Sequence, residues 1–341
     1  MQQPVNGPSI RDIAEIAGVS TATVSRILNH KGGYSAKTEQ RVLAVLEANG
    51  YIGNMAAKTL REARSKTIGL LLPNIDNPFY SCLAYHIENA LYEKGYSLLI
   101  CNSAERLDKE VAYFRTLIGK HVDGVLCASP LTGFPGNFPL HALPVVCVDR
   151  IPAEELSIPC VVNDDYAAGR CAAEHLIRKG CRKILLVTYN GQGRLSGWNQ
   201  RARGYIDALE EHRIPVDRNY ILERPGRETP SQEFEILVRS FLREGRFPLD
   251  GVIGTSEAAA VGALFALKDS GLRVPQDVKL VTFDNTLQSV LTEPGLTSID
   301  RKPQKLAQCA VALLLDMIEG TPPRQRVHTV PFELVARGSS L

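Results

Sequence analysis

The chain has 341 residues, 44% hydrophobic and 22% charged, with a net charge of +2, ordinary for a soluble globular protein of two or three domains. No apolar run approaches the roughly 18 residues of a membrane span. The first twenty residues lack the basic–apolar–small pattern of a secretory signal, so a cytoplasmic protein without membrane attachment is expected. The charge is unevenly spread: residues 1–66 hold nine Lys or Arg against five Asp or Glu, and the remainder holds 30 against 32. A basic head on a nearly neutral body suggests a polyanionic partner for the head.

Three short helices are predicted in that head. Ser9 caps "IRDIAEIAG", which puts Ile10, Ile13, Ala14 and Ala17 on one face. Gly18 permits a sharp turn. Ser20 then caps "TATVSRILN", with Val24, Ile27 and Leu28 inward, and "AKTEQRVLAVLEANG" turns Val42, Leu43, Val45 and Leu46 inward before ending at Asn49-Gly50. Helix, short glycine turn, helix is the helix-turn-helix arrangement. Thr21, Ala22, Ser25 and Arg26 fall on the N-terminal half and outer side of the second helix, where a recognition helix meets base edges in the major groove. Arg26 can donate two hydrogen bonds to guanine O6 and N7, Thr21 can bond a base edge or phosphate, and Ala22 can touch a thymine methyl. Ser20, Thr23, Ser25 and Asn29 suit phosphates. A three-helix bundle built for protein contacts would carry the same apolar pattern.

The segment "YIGNMAAKTLREARSKTIG" follows directly. Asn54 can cap a helix over residues 55–60 that is too short to be stable alone. It leaves Leu60 among Lys58, Arg61 and Arg64, a composition suited to a wedge in the minor groove.

From residue 67 apolar strands alternate with amphipathic helices. Strand-like runs are "TIGLLLP", "YSLLICN", "GVLCAS" and "PVVCVD". After "CVVND" the alternation restarts with "KILLVTY", "NYILER", "DGVIGTS" and "VKLVTFD". Helices fit near 79–94, 105–119, 166–179, 198–212, 231–244 and 257–270. This is the pattern of parallel sheets covered on both faces, in two similar sets. Ligands of such sheets sit beyond the carboxyl ends of the strands. The polar residues there are "DNPFY" after the first strand, "VDR" at 148–150, "NDD" at 163–165, "TSE" at 255–257, "FDN" at 283–285 and "SIDR" at 298–301.

Catalysis is not expected. No G-x-x-x-x-G-K-[ST] or G-x-G-x-x-G occurs, and the seven histidines (30, 86, 121, 141, 175, 212, 328) show no ligand spacing, so no metal site and no cofactor are predicted. "NGQGRLSG" reads as a flexible cleft loop. Eight cysteines are scattered singly, without a C-x-x-C pair, mostly in apolar segments, and read as buried reduced thiols.

"IRDIAEIAGVSTATVSRILN", the basic segment ending in Lys58-Thr59-Leu60, and "TIGLLLPNIDNPFY" together resemble the lactose-repressor family of bacterial transcription regulators, from about residue 9 to about 337. The V-S-x-x-T-V-S-R-x-L-N block is its most specific part. The resemblance implies an N-terminal all-α helix-turn-helix headpiece (9–53) and a hinge helix and linker (54–66). It also implies an α/β periplasmic-binding-protein-like core of two doubly wound parallel-sheet lobes. Three crossovers, near 162, 293 and 325, would make these 67–162 with 294–325, and 163–293 with 326–341. Thr21, Ala22 and Arg26 fall on the family's base-reading positions, Leu60 on its intercalating leucine and Lys58 on the neighbouring minor-groove cation. Gly53 departs from a common proline.

For the cleft, the resemblance implies that Phe79 or Tyr80 stacks on a ligand ring. Asp149 with Arg150, and Asp164 with Asp284, would contact a sugar. Arg201, in "RARGY", matches the family's ligand-binding arginine, and Arg194, in "RLSGW", has the same spacing. Ser256-Glu257 stands where many members carry Asn-Asp, and Arg301 where many carry Gln. Three guanidiniums (Arg150, Arg201, Arg301) in one cleft would call for an anion, hence a sugar acid such as gluconate or 2-ketogluconate, unless Asp149 and Asp300 neutralise two of them internally. The implied activity is allosteric. A homodimer would bind double-stranded operator DNA as a repressor of a carbohydrate-metabolism operon, and a small effector would adjust the affinity. The body alone would also suit a periplasmic-type solute-binding protein for a sugar, but the DNA-reading head argues against that alternative.

Overall fold

The computed structural model describes residues 8–28, 31–49, 64–129, 131, 133–135, 138–190, 197–225, 230–245 and 248–341. Asn29, Asn54, Lys58 and Leu60 therefore lie outside the described residues, as do most of the expected hinge and the loop at 191–196 with Arg194. The chain divides into two compact units, Met1–Ser65 and Lys66–Leu341.

The small unit holds helices α1 (Ile10–Ile16), α2 (Thr21–Leu28) and α3 (Ala36–Ala48). Ser9 and Asp12 form a reciprocal capping box on α1, Gly18 takes φ +61°, and the Thr23 amide donates to Ser20 Oγ at 3.1 Å. Ile13, Ala14, Ala17, Val24, Ile27, Val42 and Leu46 form its core. Leu43, expected inward, is 47% exposed: the period along α3 turns Val42 and Leu46 to the core and leaves Leu43 on the flank.

Among its described residues the large unit has two six-stranded sheets. The first contains β1 (Thr67–Leu72), β2 (Ser97–Asn102), β3 (Gly124–Cys127), β4 (Val145–Val148), β5 (Cys160–Val162) and β11 (Val327–Thr329), in the order β11-β5-β4-β3-β1-β2. All its pairings are parallel. Along β1, Ile68, Leu70 and Leu72 pack under α4 (Pro78–Tyr92) and α11 (Pro303–Ile318), while Leu71 turns to the other face and α5 (Leu107–Gly119). This is the period-two signature of a strand covered on both sides.

The second sheet contains β6 (Ile184–Asn190), β7 (Ile221–Pro225), β8 (Gly251–Gly254), β9 (Lys279–Phe283), β10 (Thr297–Asp300) and β12 (Glu333–Val335), in the order β12-β10-β9-β8-β6-β7. Among the described residues of this sheet only β12 runs antiparallel. Helices α6 (Asp165–Arg178) and α7 (Gly197–Glu211) pack on one face, and α8 (Ser231–Glu244) and α9 (Glu257–Asp269) on the other. A short helix, α10 (Leu287–Leu291), follows β9.

The chain crosses between the sheets after β5, after β10 and after β11. Thr297–Ile299 pair with Val281–Phe283 of the second sheet, so the crossing expected near 293 falls at about 301. Val327–Thr329 pair with β5, so the one expected near 325 falls at about 330. Strands of three or four residues do not announce in sequence which sheet they will join. Cys127, Cys147 and Cys160 sit side by side on β3, β4 and β5 as free thiols; burial pushes Cys160 up to about 12, which keeps it protonated and inert.

Candidate nucleic-acid interface and interlobe cleft

Helix α2 has two distinct sides. Val24 and Ile27 are 0% and 1% exposed, and anchor it to α1 and α3. Thr21, Ala22 and Arg26 are exposed, while Thr23 and Ser25 are half-buried. Ser20 Oγ also lies 2.9 Å from Thr23 Oγ1, so these two hydroxyls define where the helix starts. The Arg26 guanidinium rests near Gly33, beside backbone at φ +80° that an L side chain rarely adopts. The four sites of this interface predicted at Asn29, Asn54, Lys58 and Leu60 are outside the described residues.

In the large unit, the strand ends of both sheets converge on one buried cluster. Asp149 follows β4, and Asp284 follows β9; both take left-handed backbone, at φ 69° and 84°. Arg301, just after β10, pairs with Asp149 and lies 3.3 Å from Asp284, and its guanidinium stacks over the Phe79 ring at 4.0 Å. Tyr80 donates its hydroxyl proton to Asp149 at 2.8 Å and accepts from Arg150 Nη2 at 2.8 Å, while Arg150 Nε stands 3.4 Å from Asp149. Arg201 donates to Asp165 at 2.7 Å and to the Thr255 carbonyl at 2.6 Å, and lies over Phe283 at 4.4 Å. None of Phe79, Tyr80, Asp149, Arg150, Arg201, Asp284 and Arg301 is more than 7% exposed.

Two predicted ligands sit differently. Asp164 is exposed and caps α6, accepting from the Ala167 amide at 2.9 Å; its neighbour Asp165 is the carboxylate that meets Arg201. Ser256 is buried as the cap of α9 and donates to the Tyr189 hydroxyl at 3.2 Å. Glu257 ties down the loop after β9 through the Thr286 amide at 2.8 Å and the Ser289 hydroxyl. Asp165, Glu257 and Asn163 were given no contact of their own from sequence. "NDD" held the signal for two of them, but the start of α6 decides which carboxylate points inward. Beside the cluster lies a cavity of about 230 Å³, whose lining includes Asp149, Ile151, Asp164, Asp165, Gln200 and Thr329.

Each of the three arginines thus has a carboxylate within reach, supplied by Asp149, Asp165 and Asp284 rather than by Asp300, which pairs with Lys302 at 2.9 Å. The charge demand that pointed to an anionic ligand is largely met inside the protein. Burial lowers Arg301 to about 10, still a cation at neutral pH. Burial pushes Asp284 up to about 7; Arg201 opposes that rise, and Glu257 and Asp165 add to it.

A raised acid holds its proton more tightly in the folded chain than in the unfolded one. Its contribution to stability is therefore complete below about pH 4 and lost as pH rises through about 7. The stability of Asp284→Asn relative to wild type should accordingly improve between pH 5 and 8, by up to about 2.5 kcal/mol. Urea denaturation of both proteins across that range measures it; a difference that does not move with pH rejects the perturbed Asp284.

Comparison with known proteins is consistent along the chain. Residues 9–54 match the bacterial regulatory proteins of the lacI family, and residues 173–340 match the periplasmic binding protein-like domain. The ribose operon repressor of Halalkalibacterium halodurans is 32% identical over 329 residues, covering 96% of each chain. The HTH-type transcriptional regulator DegA of Bacillus subtilis is 33% identical over 340 residues, 97% of this chain and 98% of its own. Among solved structures, the lac repressor dimer bound to operator and the anti-inducer ONPF superposes with a TM-score of 0.86 at 25% identity, covering 98% of this chain and 100% of that one.

Proposed function

The chain belongs to the lacI family of bacterial regulatory proteins, DNA-binding regulators that carry a sugar-type effector domain, and from that premise we propose how this member divides its labour. Two heads, one from each subunit of a homodimer, grip half-sites of an operator. Thr21, Ala22 and Arg26 read bases, and Ser20, Thr23, Ser25 and Asn29 hold phosphates. Asn54, Lys58 and Leu60 complete the grip from the minor groove. A neutral, hydroxyl-rich sugar occupies the interlobe cleft and adjusts operator affinity through its different affinities for two arrangements of the lobes.

The observation that carries the choice of ligand is the near balance of charge in the cleft. Alternating guanidiniums and carboxylates at strand ends offer donors and acceptors to hydroxyl groups without presenting a net charge to an anion. Phe79 supplies an apolar ring face against which a sugar ring can pack. The same assignment gives Tyr80, Asp149, Arg150, Arg201, Ser256 and Asp284 to the ligand, with Asp165 in place of Asp164.

A second reading, a sugar acid such as gluconate or 2-ketogluconate, draws on Arg301 Nε, which is buried with no hydrogen-bond partner among the described residues. Titration calorimetry of the intact protein with neutral pentoses and hexoses and with sugar acids decides between them. Neutral sugars are expected to bind and to change retardation of a promoter fragment in a gel. Binding confined to the acids, with proton uptake near pH 7, would replace the first reading with the second. Failure to retard any promoter fragment, with or without sugars, would remove the regulatory proposal itself.

A further inference from the structure

The three crossover segments are tied at one point. Asn163, after β5, donates from Nδ2 to the Arg301 carbonyl at 3.1 Å and to the Val330 carbonyl at 2.9 Å, and is 6% exposed. The second and third crossovers are thus fastened to the first, and the backbone of Arg301 is anchored at the hinge. Its side chain leaves that anchor and enters the cleft. There one guanidinium contacts Asp149, at the end of β4 in the first sheet, and Asp284, at the end of β9 in the second. Its flat face covers Phe79 of the first lobe.

We propose that Arg301 is a tethered stand-in for the effector: it holds the lobes together when no ligand is bound, and a ligand must displace it from Phe79 and the two aspartates. The proposal rests on the interlobe cleft being the effector site. A guanidinium can play the part because it is planar, stacks on an aromatic face and directs its N–H donors outward from its edge. A sugar ring asks the same of a site, an apolar face against an aromatic ring and hydroxyl donors toward carboxylates. Lysine, a point charge on a flexible stem, could reach one aspartate but could not bridge both while stacking.

Removing the guanidinium has a definite consequence. Asp149 keeps Arg150, but its link to Asp284 through the Arg301 guanidinium is lost. Two buried carboxylates are left facing one cleft, and the population shifts toward open lobes. Such a device makes the unliganded state a closed one with a specified competitor, so apparent ligand affinity is reduced by the fraction of molecules in which the latch is engaged.

The test begins with hydrogen–deuterium exchange on the full-length protein, with no ligand and no DNA. Arg301→Gln should speed exchange at least about fivefold in the cleft segments 149–153 and 284–286 relative to wild type, and Arg301→Lys should fall between them. Asp284→Asn, which keeps the buried cation paired to Asp149, serves as a second variant should Arg301→Gln fold poorly, and should speed the same segments. Unchanged exchange in Arg301→Gln or Asp284→Asn overturns the latch. The neutral sugar with the highest affinity for wild type is then titrated into Arg301→Gln, where tighter binding is expected. Binding weakened tenfold would make Arg301 an ordinary ligand contact and overturn the stand-in role. If no sugar binds wild type, the effector reading fails while the exchange result still decides the latch.

Discussion

Arg26→Ala should weaken operator binding by roughly 1–3 kcal/mol, about 5- to 150-fold, and relax base preference at a single position of each half-site. The geometry makes the effect separable from stability. Arg26 is exposed on α2, while Val24 and Ile27 on the opposite side of the same helix carry its packing. Removing an exposed side chain from such a helix changes folding stability by no more than about 0.5 kcal/mol. A lysine or arginine bound only to phosphate behaves otherwise: its loss lowers affinity almost equally for every sequence and reduces the salt slope by about one. Competition binding against operators varied one base pair at a time, at two salt concentrations, distinguishes the cases. Equal losses on every variant operator would assign Arg26 to the backbone and pass the reading of bases to Thr21 and Ala22.

How far the sequence could be read depended on the range of the interaction. The capping of α1 by Ser9 and of α2 by Ser20, and the turn at Gly18, rest on contacts within three residues, and the residue types announce them. The alternation of strands and helices was legible for the same reason, and the rule that ligands collect beyond strand ends selected the stretches that hold Asp149, Asp284 and Arg301. What could not be read was pairing at a distance. Arg201 meets Asp165 across 36 positions, and Arg301 meets Asp149 across 152. A count of guanidiniums near a cleft is visible in sequence; the carboxylates that neutralise them become visible only when the lobes are assembled. Asn163 illustrates the same limit. Its amide satisfies carbonyls 138 and 167 positions away, so nothing near it in sequence signals a hinge. The shifted crossovers arise from strand pairing, and which carboxylate of Asp164 and Asp165 meets Arg201 was hidden because a helix start moved by one residue changes which side chain faces inward.

Replacing Gly169 or Gly204 by alanine should destabilise the second lobe by about 2–3 kcal/mol, near the upper end of overpacking costs. The two glycines lie where α6 and α7 cross with their backbones in contact. A Cβ on Gly169 would stand 2.1 Å from the Arg201 carbonyl oxygen, and one on Gly204 would stand 2.1 Å from the Tyr166 carbonyl oxygen. In an open helix, alanine gains roughly 0.5–1 kcal/mol over glycine. Here that gain is outweighed because the obstacle is backbone, which cannot rotate away, and the helices must separate. Arg201 sits three residues before Gly204 on α7, so the separation also pulls it from Asp165 and the Thr255 carbonyl, now at 2.7 and 2.6 Å. This gives a physical reason for arginine and glycine at that spacing: the glycine brings the helices close enough for the arginine to reach. The double variant supplies the sharper check. Once one methyl group has parted the helices, the second meets less resistance, so its cost should fall short of the sum of the single variants by at least about 1 kcal/mol. Urea denaturation of the three variants measures this. Strictly additive losses would show that the two positions do not share one crossing, and single losses below about 0.5 kcal/mol would show that the close approach imposes no constraint.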